Sequence, residues 1–147
     1  MHSAISPLDG RYFEKTRALA PYFSEAALMK YRVTMEGEYL IALSETKGLG
    51  IRPFSAKEKQ VIRSLYDLRA IDTQIISDIE FKGYKSIKAT DHDVKAIEYF
   101  IKDKLARTSL GDNLEWIHFA LTSYDTNTIA RGMMLGDALS EVLIQKI

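Results

Sequence analysis

The sequence contains no cysteine. That excludes a disulfide framework, a thiolate-held zinc or iron–sulfur site, and thiol catalysis. Only three prolines and eight glycines punctuate the 147 residues, and period-2 alternation of β-branched residues is nearly absent, so strands have little support. No charge of one sign dominates either, because 20 Lys and Arg face 20 Asp and Glu for a net charge of zero. An electrostatically driven nucleic-acid binder would show a basic excess or a basic face, and that class is excluded. No run approaches the ~18 apolar residues of a membrane span. Asp9 and Arg11 arrive before a secretory apolar core could form. The expectation is a soluble cytoplasmic protein with neither nucleic-acid nor membrane partners. What is present is 46% hydrophobic and 27% charged, a globular composition.

The remaining stretches read as helices. Ser6-Pro7-Leu8-Asp9-Gly10-Arg11-Tyr12 is turn chemistry, with Asp9-Gly10 suited to the positive-φ positions of a tight turn. A first long helix starts at the N-cap Ser24, carries Leu28, Tyr31, Met35, Tyr39 and Leu43 at helical spacing, and stops near Gly48. A second opens on the capping box Ser55-Ala56-Lys57-Glu58 and is expected to run to about Glu80. A basic connector, Phe81 to Ala89, leads to a third helix capped by Thr90, with the stripe Val94, Ile97, Ile101 and Leu105. A short fourth is expected around Leu114–Leu121, and the last runs from about Ser123 to the end. That last helix carries a row of small residues, Gly132, Gly136 and Ser140. Two helix-interior glycines cost about 1 kcal/mol each, and close approach of a partner helix could offset this. The apolar pattern is still running at Gln145-Lys146-Ile147 without a C-cap signal, which predicts the N-terminal part of a longer all-helical protein.

Three polar constellations stand out. In Asp9-Gly10-Arg11-Tyr12, a forked guanidinium and a phenol could meet a phosphate, although pairing of the Arg with a nearby Asp is the simpler reading. Thr90-Asp91-His92-Asp93 lies at a helix start, which attracts anions. Capping explains Thr90 and Asp93 but leaves His92 unexplained, and the trio of residues 91–93 offers too few partners for a metal. In the run from His118 to Thr128, capping accounts for Ser123 and Asp125. Binding of a carboxylate or phosphate by Thr122 and Ser123 remains equally open. His118, beside Trp116 and Phe119, reads as a packed, hydrogen-bonded core histidine, and His2 as a disordered terminus. A Ser–His–Asp triad from Ser123, His118 and Asp125 lacks a nucleophile elbow.

These three strings, with Val94-Lys95-Ala96-Ile97-Glu98-Tyr99-Phe100 following the second, together resemble the adenylosuccinate lyase family, and most of all its bacterial branch. The resemblance spans nearly all of the chain in the expected order, and the first string separates this family from fumarase, aspartase and argininosuccinate lyase. It implies an all-α fold. Residues 1–111 would form the N-terminal helical domain of the fumarase/aspartase-like fold, and residues 112–147 the beginning of a long helix in the central bundle of a homotetramer. It also implies elimination of fumarate from a succinyl-amino group on a nucleotide, without metal or redox cofactor. By resemblance Arg11 and Tyr12 bind the phosphate–ribose end, His92 with Asp91 and Asp93 orients the phosphate side, and Thr122 and Ser123 bind the succinyl part. Asp91 departs from the Asn usual in this branch. The family's general-acid histidine and its base, a serine on a Ser-Ser-x-Met-Pro loop, are expected beyond residue 147, so no catalytic residue is expected within the chain. Two other readings are a sister lyase acting on another succinyl-amine and a self-contained helical interaction module. The reading frame downstream of codon 147 discriminates between lyase and module.

Overall fold

Helices carry the architecture of the computed structural model, which describes residues 4–146; His2 and Ile147 lie outside the described residues. Two single turns, α1 (Phe13–Thr16) and α2 (Ala20–Phe23), flank a 3-10 turn at Arg17–Leu19. They lead into α3 (Glu25–Glu45), followed by α4 (Ala56–Arg63), α5 (Ala70–Phe81), α6 (Asp93–Leu105) and α7 (Ser123–Ala138). No strand occurs among the described residues, and an isolated antiparallel bridge joins Tyr84 to Ile87 in the basic connector. No described helix is long and apolar enough to cross a membrane.

The central element is α3. The Ser24 hydroxyl caps it by accepting from the Ala27 N–H at 3.2 Å, as the sequence predicts. Its apolar residues face two ways. Val33 and Leu40 join Ile62 of α4, Ile76 and Ile79 of α5, and Ile97, Phe100 and Ile101 of α6 in the main core. Ala27 and Tyr31 pack on Ala130 and Met134 of α7. Each large aliphatic side chain buried this way contributes about 1.5–3 kcal/mol, so α3 is held from both sides. Where α4 leaves it, Gly37 permits a close approach. A Cβ there would stand 2.5 Å from the Tyr66 hydroxyl.

The structure corrects four expectations. The helix expected over residues 55–80 is two helices, broken after Arg63. The Ser64 hydroxyl bonds back to the Val61 carbonyl at 2.7 Å, and Asp72 caps a new start by accepting from the Arg69 N–H at 3.1 Å. The N-cap of α6 is His92, not Thr90. Its Nδ1 accepts from the Lys95 N–H at 3.2 Å, while the Thr90 hydroxyl serves the His92 backbone. The segment expected to form a fourth helix is a 3-10 stretch, Gly111–Trp116, followed by positive-φ positions at His118 and Ala120. Finally, the Asp9-Gly10 turn uses no positive φ. The Asp9 carboxylate instead closes the turn by accepting from the Ser6 N–H at 2.7 Å and the Ser6 hydroxyl at 2.8 Å. These bonds, the hydroxyl's foremost, hold its carboxyl below the ordinary aspartate value.

The final helix continues through a wide π turn, Leu139–Leu143, and a 3-10 turn, Ile144–Lys146. Gly132, Gly136 and Ser140 are exposed, and a Cβ built at either glycine would meet nothing within 4 Å. Ile129, Leu135, Leu139 and Leu143 are exposed on the same helical run.

Candidate functional site

Two of the three polar strings come together, and a pair of charged residues on α3 joins them. Arg32 is buried. Its guanidinium pairs with the Asp93 carboxylate at the start of α6 and donates through Nε to Asn127 Oδ1 on α7 at 2.9 Å. One turn further along α3, Glu36 Oε1 accepts from the Thr126 hydroxyl at 2.8 Å and lies 2.6 Å from His118 Nδ1. Tyr39 completes the edge, donating from its hydroxyl to the Phe119 carbonyl at 3.1 Å. The starts of α6 and α7, 30 residues apart in sequence, are therefore set by one face of α3.

At the α6 start, Asp91 holds φ at +47°. Asp and Asn are the non-glycine residues that tolerate this left-handed conformation best. Exchange of one for the other at position 91 therefore preserves the backbone. The Asp91 N–H donates to the Glu80 carbonyl at 2.9 Å, tying the loop to the end of α5. His92 is half-exposed. Because its Nδ1 accepts the Lys95 N–H, that nitrogen cannot also donate to Asp93, and in the neutral ring Nε2 carries the hydrogen. Burial pushes the Asp93 carboxyl up, but the Arg32 charge and the Val94 N–H outweigh it and hold it below the ordinary value. Burial, with the charges of Asp93 and Glu25, pushes the neighbouring Glu80 carboxyl up.

At the α7 start, the Asp125 carboxylate accepts from the Thr122 N–H at 2.8 Å and the Thr122 hydroxyl at 3.0 Å. The backbone bond is the main cause of its lowered pKa. The N-cap is Thr122 rather than Ser123. That cap engages the Thr122 N–H, whereas the half-buried Ser123 begins the helix where first-turn N–H groups point outward. An anion arriving here would meet Ser123 and the backbone donors first.

The first string is not joined to this network. No hydrogen bond or ion pair connects the Arg11 or Tyr12 side chain to the starts of α6 or α7. Both side chains are exposed, with the Arg11 guanidinium 5.5 Å from the centroid of the Tyr12 ring. Among the described residues no three His, Cys, Asp or Glu side chains are grouped to hold a metal ion.

Sequence reasoning missed Arg32 and Glu36. Spaced four apart beside an apolar stripe, they read as an ordinary solvated pair. No local signal shows that α7 covers them. His118 is hydrogen-bonded and mostly buried, as expected, but it sits on a strained backbone at φ +62°.

No family model matches the chain. It is 41% identical to an adenylosuccinate lyase of Dictyostelium discoideum over 99% of its own length, which is 31% of that protein. It is 39% identical to an adenylosuccinate lyase of Legionella pneumophila over 96% of the chain and 30% of that protein. Against the Escherichia coli adenylosuccinate lyase the identity is 38%, over 97% of the chain and 30% of the relative. The chain therefore spans about 30% of the length of the curated relatives it matches. The match extends over nearly the whole chain, which favours the lyase reading over a self-contained helical module.

Proposed function

We propose that these 147 residues are the N-terminal part of an adenylosuccinate lyase, a cytoplasmic homotetramer when whole. It would eliminate fumarate from adenylosuccinate to give AMP, and from the succinylated aminoimidazole carboxamide ribotide. The observation that carries this reading is the match along 96–99% of the chain to several such lyases. The joining of the α6 and α7 starts by α3 supports it, because both starts present anion-binding groups toward solvent.

In the elimination, a base removes the proton next to one carboxylate and the carbon–nitrogen bond breaks. The electron pair departs with nitrogen, which an acid protonates. The residues of this chain bind rather than exchange those protons. Ser123 and the first-turn N–H groups of α7, with Thr122, hold the succinyl carboxylate, so that charge developing beside it meets fixed donors. His92 Nε2–H and the α6 start, with Asp91 and Asp93 shaping them, face the phosphate side. Arg11 and Tyr12 clasp the phosphate–ribose end, and in the tetramer they serve a site assembled from more than one subunit. Residues 1–111 act as the first domain, and residues 112–147 start the central bundle, where the exposed Gly132, Gly136 and Ser140 row receives a partner helix.

The acid and the base each contribute roughly 10²–10⁴-fold to such a reaction, and neither is among the groups this chain places at the site. The test is fumarate release from adenylosuccinate, measured with purified residues 1–147 and with the product of the full reading frame that contains them. Activity is expected from the second alone. Turnover by the 147-residue chain, free of host enzyme, or none by the full product, would overturn the reading.

A further inference from the structure

The Glu36 carboxylate is fully shielded from solvent. Its Oε1 serves both Thr126 and His118, while Oε2 is buried with no hydrogen-bond partner. Removing a carboxylate from water costs several kcal/mol unless its oxygens are satisfied, and buried polar atoms almost always find partners. Packing alone does not account for an acid here, since a methionine of similar length would fill the space. Its long-range contacts are with the Thr126 hydroxyl on α7 and with His118, whose ring is 17% exposed.

The direction of that hydrogen bond decides which ring atom is left over. A carboxylate oxygen accepts, so His118 Nδ1 carries the hydrogen, and in the neutral ring Nε2 is left as an acceptor. Nε2 makes no hydrogen bond among the described residues and is not one of the buried unpartnered atoms. His92 is the reverse, with Nδ1 accepting, which leaves the hydrogen of the neutral ring on Nε2. We propose that Glu36 is a positioning residue: it holds His118 as the Nδ1–H tautomer, opposite to His92, so that Nε2 accepts a hydrogen bond from an N–H donor of the ligand whose carboxylate binds at the α7 start. The tautomer stands on the geometry alone; its consequence for turnover rests on the reading in the preceding subsection. The strained φ at His118 fits a ring whose placement is imposed by its partners.

Two-bond proton–nitrogen correlation spectra of the ¹⁵N-histidine-labelled 147-residue chain, recorded where the rings are neutral, read the tautomers directly. His118 is expected as Nδ1–H and His92 as Nε2–H. In Glu36→Gln the carboxamide offers a donor as well as an acceptor, so the His118 pattern should shift to a mixture while the His92 pattern stays. His118 found as Nε2–H in the parent chain, or unmoved in Glu36→Gln, overturns the proposal. The parent spectrum decides even where the variant fails to fold. In the product of the full reading frame, Glu36→Gln is expected to lower kcat roughly 10-fold or more with little change in KM, and an unchanged kcat would also overturn it. If the unmutated full product releases no fumarate, the functional reading fails while the tautomer result still stands.

Discussion

Replacing Arg32 by methionine isolates the tie that sets the site. Methionine keeps the apolar stem of a buried side chain and removes only the guanidinium. Two interactions are lost, the ion pair to Asp93 and the 2.9 Å bond to Asn127. A hydrogen bond to a charged group contributes about 1.5–3 kcal/mol. The Asp93 side chain is 43% exposed, so water recovers part of the loss and the low end applies. With about 1 kcal/mol for the Asn127 bond, the expected destabilisation is about 2–3 kcal/mol, or roughly 5–10 °C in Tm for a domain of this size. Urea unfolding, followed by far-ultraviolet circular dichroism and by the fluorescence of the single Trp116, measures it.

The pH dependence carries the sharper test. Arg32 helps to depress the Asp93 pKa in the folded state. The stability this contributes is full above the ordinary aspartate value of 3.8, and it is lost as pH falls through the lower folded value. The gap between parent and variant should therefore shrink below about pH 4, to the share of the Asn127 bond. A double-mutant cycle with Asp93→Asn should return a coupling of about 1–2 kcal/mol. A gap under about 0.5 kcal/mol at neutral pH, or one that does not change with acid, refutes the reasoning.

Glu58→Gln removes the carboxylate that accepts from Arg52, Ser55 and Ser109 and should cost about 1–2 kcal/mol at neutral pH. Those bonds, Arg52's foremost, hold the Glu58 carboxyl well below the usual range, so the cost should fade as acid titrates it, measured by urea midpoints at about pH 7 and about pH 3. Gly37→Ala would push Tyr66 off α3 and strain its 3.1 Å bond to Glu38, with about 1–3 kcal/mol lost in thermal melts. Gly136→Leu, at a position open to solvent, should leave the melting of this chain unchanged or slightly raised. In the full reading-frame product it should disrupt the proposed tetramer, read by size-exclusion chromatography with light scattering.

What the sequence determined by itself is local. Ser24 and the Ser55–Glu58 box start helices because a side-chain oxygen satisfies an amide three residues away, and that chemistry needs no tertiary contact. The stripe Val94, Ile97, Ile101 and Leu105 is equally legible, since helical period alone puts it on one face. The break after Arg63 was legible in principle, because Asp72 interrupts the apolar phase and caps a new start, but the apolar continuation through Leu65, Leu68, Ile75 and Ile79 read more simply as one helix. At residue 92, whether Thr90 or the histidine ring caps the helix cannot be settled from residue types, because each can accept from a backbone amide near the helix start. Only the tertiary structure decided that Arg32 and Glu36 are buried. Their spacing is that of an exposed pair, and the difference arises because α7, about 90 residues away, packs over α3 and removes the water that would otherwise solvate them. Burial is a property of what comes to lie on a surface, so the groups that join the His92 and Ser123 ends of the site could be seen only once the helices were assembled.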